Sequence, residues 1–326
     1  MKKKILIKIV RILFSVSLFR KYFLLVGKFV AITGYGSNEC LKEGFLPVPV
    51  HYYSPIPDIN DLEKRNIWNK KSELQGIKFD PKKQLAFLKQ LRPFGEECVW
   101  PLNKTSNEAD YFVDNDSFSF GCAAALYSMI RKYKPRTVIE IGSGHSSKII
   151  AQSINANNKE MERSVSYIII DPYPQNFIKN NKISYTKLIP KKIEVIKPTF
   201  FNILEKNDIL FVDSSHTVKI GSDVNFLILD ILPRLHPGVI IHFHDIHLPF
   251  EYPKAYATTE TFRQFWTEQY LLQGFLSFNK EFEILIAMNY LMYYHINEFK
   301  KSFPNYNPRL HKASSGSFYI RRNKRI

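Results

Sequence analysis

Residues 137–147 read TVIEIGSGHSS, and the fold turns on them. Thr137 to Ile141 is a short β-branched, apolar run of the kind that fills a central strand. Gly142 and Gly144 follow at once and give a tight turn that a ligand can approach closely. His145-Ser146-Ser147 then opens a helical stretch. A nicotinamide-dinucleotide turn has a third glycine at 147, where this chain has Ser147. Glu140, just before the turn, repels a pyrophosphate and suits a ligand carrying an ammonium or sulfonium. The next apolar run, VSYIIID (165–171), ends in Asp171, where a carboxylate can take both hydroxyls of a ribose.

Working outward, the same alternation continues. Apolar runs at 192–197 (KIEVIK), 208–214, 238–245, 282–288 and 317–322 are separated, for the most part, by helical material. Runs apolar on both faces between amphipathic helices predict an α/β fold: a doubly wound, seven-stranded, mostly parallel sheet with the last strand inserted antiparallel. Right-handed crossovers put the ligand at the carboxyl ends of the strands. Upstream, Asp80 before Pro81 predicts a helix over 80–91, and 120–133 predicts another. Prolines 47, 49, 55 and 57 exclude a long helix there and predict an extended arm carrying Tyr52 and Tyr53 against the main domain. The expected organisation is an N-terminal extension of two parts, 1–34 and 35–109, before a domain over 110–326. Residues 289–316 read as an irregular insertion able to close over a pocket.

At these residues the chain resembles the class I S-adenosylmethionine-dependent methyltransferases, which have a Rossmann-like fold. VIEIGSGHSS is similar to their first motif and IIIDPYP to their second. The resemblance implies S-adenosylmethionine as cofactor. It lays Gly142, Ser143 and Gly144 along the cofactor and puts Asp171 on its ribose. Glu140 goes to its amino-acid end, through water or backbone, and Asp213 joins the same set. DPYP follows the second strand, not the fourth, so it carries no amino-methylation signal.

The fourth run ends in Asp213-Ser-Ser-His216 and the fifth in His242, His244, Asp245 and His247. Adjacent parallel strands bring these ends side by side on one rim. Metal-dependent O-methyltransferases of this fold have ligands at the positions of Asp213, His244 and Asp245. That likeness implies Mg²⁺ or another divalent metal on these three, with His244 in place of the usual carboxylate. FVDSSHTVKIGSD and VIIHFHDIHLPFEYP also resemble the bacterial methyltransferase-24 branch. Methyl transfer to oxygen needs the acceptor hydroxyl to lose its proton as it attacks in line. His216 is the first candidate base, with His244 and Asp245 beside it as catalytic residues. His242 reads as a core residue and His247 as a loop residue. Phe262, Phe265, Trp266 and Tyr270 form an aromatic stretch, expected as a helix bordering the acceptor pocket.

The net charge of +16 over 326 residues suggests nucleic acid until it is mapped. Eight basic residues, from Lys2 to Lys28, precede the first acid, Glu39; Arg321, Arg322, Lys324 and Arg325 carry four more. The body between holds little excess, so nucleic acid is not the expected partner. Residues 5–19, ILIKIVRILFSVSLF, put a narrow stripe of Lys4, Lys8, Arg11 and Ser15 on an apolar helix. Charges interrupt it too often for a clean span, and no small-residue cleavage site follows. It reads as a helix lying in a membrane surface, with residues 1–30 holding a cytoplasmic protein at or in the inner membrane. Three scattered cysteines form no metal or disulfide framework. The predicted function is O-methylation of a hydroxyl on a sugar, glycan, lipid-linked or small-molecule acceptor. The alternative is a membrane-docked binding protein that keeps the fold without catalysis.

Overall fold

In a computed structural model, β1 (Thr137–Ile141) lies at the centre of the sheet, buried from Val138 onward. The structure describes residues 2–260, 263–312 and 314–323, with no side-chain description for residues 2–8. β1 pairs in parallel with β2 (Ser166–Ile170) on one side and β4 (Ile209–Val212) on the other. β3 (Lys187–Ile189) extends the β2 side, and β5 (Ile240–Phe243) the β4 side. β7 (Phe318–Arg322) runs antiparallel between β5 and β6 (Phe282–Ala287). The order is β3-β2-β1-β4-β5-β7-β6, seven strands as expected. Strand order reverses between β1 and β4, so the ligand crevice of such a sheet opens where Gly142 and Asp213 stand.

One expected strand is displaced. KIEVIK does not pair; Ile193–Val195 is a 3₁₀ turn, and β3 is the three-residue KLI before it. Pro190 and Pro198 bracket the run, and prolines interrupt ladders. Ile193 is buried but Val195 faces solvent, so the run lacks the two buried faces that a parallel strand has.

Two apolar layers cover the sheet, and the period of two along each strand sorts residues between them. Val138, Tyr167, Ile169 and Phe211 pack with the helices Phe120–Tyr133 and His145–Met161. Ile139, Ile141, Ile168, Leu210 and Val212 pack on the other face with Leu227, Ile231 and Leu272. Glu140 shares the parity of Val138, so its carboxylate points under the helix that follows the glycine turn.

The chain divides into two compact units. One is Trp68–Tyr256 with Trp266–Ile326, and holds the whole sheet. Its helix Pro81–Gly95 is capped by Asp80, whose Oδ1 accepts from the Lys83 amide, as read from sequence. Residues 289–316 are not wholly irregular: helices Met288–Tyr294 and Ile296–Ser302 occupy their first half. The expected aromatic helix is likewise broken, into Lys254–Thr258 and Glu268–Leu276, and Phe262 lies outside the described residues.

The other unit is Met1–Ile67 with Ala257–Phe265. Its helices Lys2–Ser15 and Ser17–Thr33 break at Val16, so the apolar segment is two helices and not one. Ser17–Thr33 buries none of its residues and ends at Gly34, φ +72°. No helix among the described residues is long and apolar enough to cross a membrane. Residues 47–57 are free of helix, as the prolines require, and Tyr52 and Tyr53 meet edge to face at 5.1 Å.

Candidate active site

The glycine turn is built by its neighbours on the sheet. The Gly142 amide donates to Ile170 O at 3.0 Å, and the Asp213 amide donates to Ile141 O at 2.9 Å. Gly142 has φ +75°, and a Cβ there would fall 1.9 Å from Asp213 O. Glycine is required at this position on both counts. Ser143 bends over the end of β2: its amide donates to Asp171 Oδ2 at 2.9 Å and its hydroxyl to the same oxygen. The Tyr173 amide donates to Asp171 Oδ1 at 2.7 Å. Asp171 thus shapes the loop with which it was grouped from sequence. Above Gly144 the space is open, since a Cβ would meet only Gln175 Nε2, at 3.7 Å. A cleft of about 510 Å³ lies alongside, lined in part by His145, Lys148, Gln175 and Phe177.

Glu140 lies beneath the glycine turn. Its side chain is wholly buried, and its carboxylate accepts from Ser146 Oγ at 2.7 Å, Ser147 Oγ at 2.8 Å and the Tyr167 hydroxyl. Ser147 Oγ also accepts from the Gly144 amide at 3.1 Å. The residue that stands in place of a third glycine therefore links Glu140 to the turn. Glu140 braces the loop from beneath, with its carboxylate turned to Ser146, Ser147 and Tyr167. Burial pushes its carboxyl up to about 8, against the three hydroxyl donors.

The ends of β4 and β5 converge on a second cluster. His216 Nε2 lies 3.1 Å from Asp213 Oδ1 and 3.8 Å from Asp245 Oδ2. His244 Nδ1 lies 3.5 Å from Asp213 Oδ1 and 3.4 Å from Asp245 Oδ2. His216 and Asp245 both have φ +56°, a region that costs a non-glycine residue about 1–3 kcal/mol. Close packing holds Asp245 there: a Cβ on Gly316 would fall 2.7 Å from its backbone nitrogen. The Asp213 and Asp245 side chains keep 31% and 19% of their exposure, against 7% and 3% for His216 and His244. A ligand therefore meets carboxylate oxygens first, with the imidazoles behind them.

Electrostatics follow from this nesting. Burial opposes every charge in the cluster; it prevails at Glu268, whose carboxyl it raises, while at Asp213, Asp245, His216 and His244 the opposite charges prevail. Asp213 and Glu268 hold His216 up at about 10. Asp245 and Asp213 hold His244 well above the ordinary histidine value. The two imidazoles in turn keep Asp213 and Asp245 below the usual carboxylate range. Without a cation, His216 is held by a carboxylate at each ring nitrogen, Glu268 at Nδ1 and Asp213 at Nε2, which favours its protonated form.

The expected metal set was Asp213, His244 and Asp245. The structure groups Asp213, His216 and Asp245 instead, with donor atoms all within 4.8 Å of one another. Two carboxylates and an imidazole suit a divalent cation. His242 is a core residue as read: it stacks on Tyr319 at 4.0 Å, and its Nε2 lies 2.9 Å from Ser317 Oγ. His247 is a loop residue as read, but a buried one, and burial lowers it to about 4. Sequence reading missed Glu268. Its carboxylate lies 2.7 Å from His216 Nδ1, while in sequence it reads as an ordinary acid in the first turn of a helix.

Comparison with known proteins agrees with this geometry. Residues 139–246, from β1 to just past β5, match the family model described as methyltransferase domain. An uncharacterized protein of Archaeoglobus fulgidus is 29% identical over 179 residues, covering 53% of this chain and 80% of that one. Among solved structures, the O-methyltransferase TomG of Streptomyces achromogenes, in complex with SAM, is 12% identical. That match covers 76% of this chain and 92% of TomG, with a TM-score of 0.34. The SAH-bound methyltransferase PaMTH1 of Podospora anserina is 14% identical over 84% of this chain and 100% of that one, also at 0.34. Those two overlays are too loose to carry functional weight. The matched segment holds the glycine turn, Asp171 and the Asp213–Asp245 rim on a sheet of order 3-2-1-4-5-7-6: residues 139–246 are those of a methyltransferase domain.

Proposed function

We propose that the protein methylates a hydroxyl oxygen, at the rim where Asp213 and Asp245 stand beside the glycine turn. One observation carries this reading: Gly142 packs directly on Asp213, whose carboxylate lies in the same cluster as Asp245 and His216. A methyl donor on the turn is then next to groups able to receive an alcohol. S-Adenosylmethionine, when bound, supplies an electrophilic methyl. Gly142, Ser143 and Gly144 form the surface it lies on, and Asp171 at the end of β2 stands where its ribose hydroxyls are taken.

The acceptor hydroxyl donates its hydrogen bond to the half-buried carboxylates of Asp213 and Asp245, which orient its oxygen. As the oxygen attacks the methyl carbon, the carboxylate that accepts this hydrogen bond takes the hydroxyl proton. A divalent cation held by Asp213, Asp245 and His216 Nε2 would lower the pKa of that hydroxyl. His216 would then bind with the nitrogen that carries a proton in the cation-free state. His244 closes the cluster from the other side.

The acceptor we infer is a sugar or glycan, lipid-linked or free. Trp266 lies 4.3 Å from His216 between ring centroids; Tyr256 lies 4.8 Å and Tyr252 6.1 Å from Trp266. An aromatic wall beside a polar cluster suits a ring with an apolar face and hydroxyl edges. The basic, apolar helices Lys2–Ser15 and Ser17–Thr33 would hold the protein on an anionic membrane surface, where lipid-linked acceptors reside.

The test is calorimetric titration with S-adenosylhomocysteine, followed by a screen of hydroxylated acceptors with labelled S-adenosylmethionine, with and without Mg²⁺ or Mn²⁺. Asp245→Asn should lose turnover and keep cofactor affinity. Absence of S-adenosylhomocysteine binding by the unaltered chain would overturn the proposal. Equal turnover in the variant would remove Asp245 from the chemistry.

A further inference from the structure

His216 is gripped by three consecutive residues that lead into and open the helix Glu268–Leu276. Trp266 packs on its ring at 4.3 Å. The amides of Thr267 and Glu268 donate to its carbonyl oxygen at 2.8 and 3.1 Å. The Glu268 carboxylate takes its Nδ1 at 2.7 Å. Thr267 Oγ1 also accepts from the Val218 amide at 2.7 Å, fixing the chain beyond His216. The backbone is held in the left-handed region by one end of this clamp and the ring by the other.

Glu268 is wholly buried. A buried carboxylate costs several kcal/mol unless it is paired, and His216 Nδ1 is the partner it has. This pairing removes a choice that imidazole otherwise has. With Nδ1 committed to Glu268, only Nε2 faces Asp213 and Asp245.

We propose that Glu268 is the positioning residue of this centre. It sets the ring orientation of His216 so that Nε2, and never Nδ1, is presented to the Asp213–Asp245 pair. Resting on the reading of that pair as the acceptor and cation site, this makes Glu268–His216 a carboxylate–histidine couple, in which the outer carboxylate fixes the tautomer of the inner donor. Loss of such a partner costs about 10–100-fold in metal affinity.

The experiment uses the full chain, labelled with ¹⁵N-histidine, and its Glu268→Ala and Glu268→Gln variants; His216→Gln assigns the resonance. Mn²⁺ is the cation probe, and S-adenosylhomocysteine affinity reports an intact fold. Glu268→Ala should lose the protected Nδ1 proton of His216 and bind Mn²⁺ about 10–100-fold more weakly, with S-adenosylhomocysteine affinity within about twofold. Glu268→Gln keeps an acceptor oxygen without the charge; its Nδ1 proton should persist and exchange at least tenfold faster. Unchanged nitrogen signals and unchanged Mn²⁺ affinity in Glu268→Ala would overturn the proposal. If Glu268→Ala does not fold, unchanged Nδ1 exchange in Glu268→Gln does so. If the unaltered chain binds no Mn²⁺, the cation reading fails alone, and the His216 nitrogen signals still decide the role of Glu268. If it binds no S-adenosylhomocysteine, the methyltransferase reading fails first.

Discussion

Gly142 and Asp213 meet so closely that a single added carbon on the glycine would fall 1.9 Å from the aspartate's carbonyl oxygen. This contact ties the β1 turn to the end of β4, so the glycine turn and the Asp213 rim are set by one packing event. Gly142→Ala must both move that backbone and adopt φ +75°, which a side chain rarely does. We expect it to destabilise the protein by roughly 1–3 kcal/mol and to abolish measurable S-adenosylhomocysteine binding. Gly144→Ala is the contrast. Its Cβ meets only Gln175 Nε2, at 3.7 Å, so stability should hold while a bulkier residue there blocks the ligand. Thermal unfolding paired with calorimetry on both variants separates the cases. Equal stability of the two variants would count against the packing argument.

Glu140 gives a prediction in pH. Its carboxyl is held protonated up to about 8 in the folded protein, while its ordinary value is 4.5. As pH rises from about 4.5, the unfolded chain releases this proton first. The contribution is therefore complete below about 4.5 and declines by about 1.4 kcal/mol per pH unit until about 8. Urea unfolding at pH 5, 6, 7 and 8 should show that decline superimposed on the rest of the protein. Glu140→Gln, which cannot ionise, should flatten it. An identical pH slope in parent and variant would show that Glu140 is ionised in the fold.

Much of this was legible in the chain because the central strands are strongly patterned. TVIEI and SYIII are buried on both faces, and the glycine turn is local, so β1, β2 and Asp171 follow from short-range sequence alone. β3 was not legible because a three-residue edge strand carries almost no periodic signal, while KIEVIK beside it alternates without pairing. That His216 gathers with Asp213 and Asp245 depends on strand ends 31 residues apart and on backbone at φ +56°, which no local pattern encodes. Glu268 was hidden for the same reason: its partner lies 52 positions away.

Asp171 accepts three hydrogen bonds from the loops on either side of it, two from Ser143 and one from the Tyr173 amide. Its substitution therefore acts twice, on the shape of the turn and on any ribose placed above it. Asp171→Ala should lower S-adenosylhomocysteine affinity by at least a hundredfold, or about 2.7 kcal/mol. Asp171→Asn, which retains one acceptor oxygen, should lose less. Calorimetry reads both. If the alanine variant binds within a few-fold of the parent, the carboxylate serves the loop alone and the ribose is held elsewhere.

The N-terminal helices present exposed Ile12, Leu18, Leu24, Leu25 and Ile32 together with exposed Arg11, Arg20, Lys21 and Lys28. Apolar side chains in that number have no reason to face water unless something covers them, and the accompanying cations suit lipid headgroups of negative charge. Each Lys or Arg near such a surface contributes about 1 kcal/mol, so four together are worth about a thousandfold in partitioning. The chain should sediment with vesicles containing phosphatidylglycerol and much less with phosphatidylcholine alone. Raising the salt from about 0.1 to 1 M shortens the screening length from about 10 to 3 Å and should weaken the binding. Reversing Arg11, Arg20, Lys21 and Lys28 to glutamate should abolish it while leaving S-adenosylhomocysteine affinity intact, because the sheet that carries the cofactor turn belongs to the other compact unit. Equal partitioning of the parent into neutral and anionic vesicles would assign the exposed apolar residues to a protein partner instead.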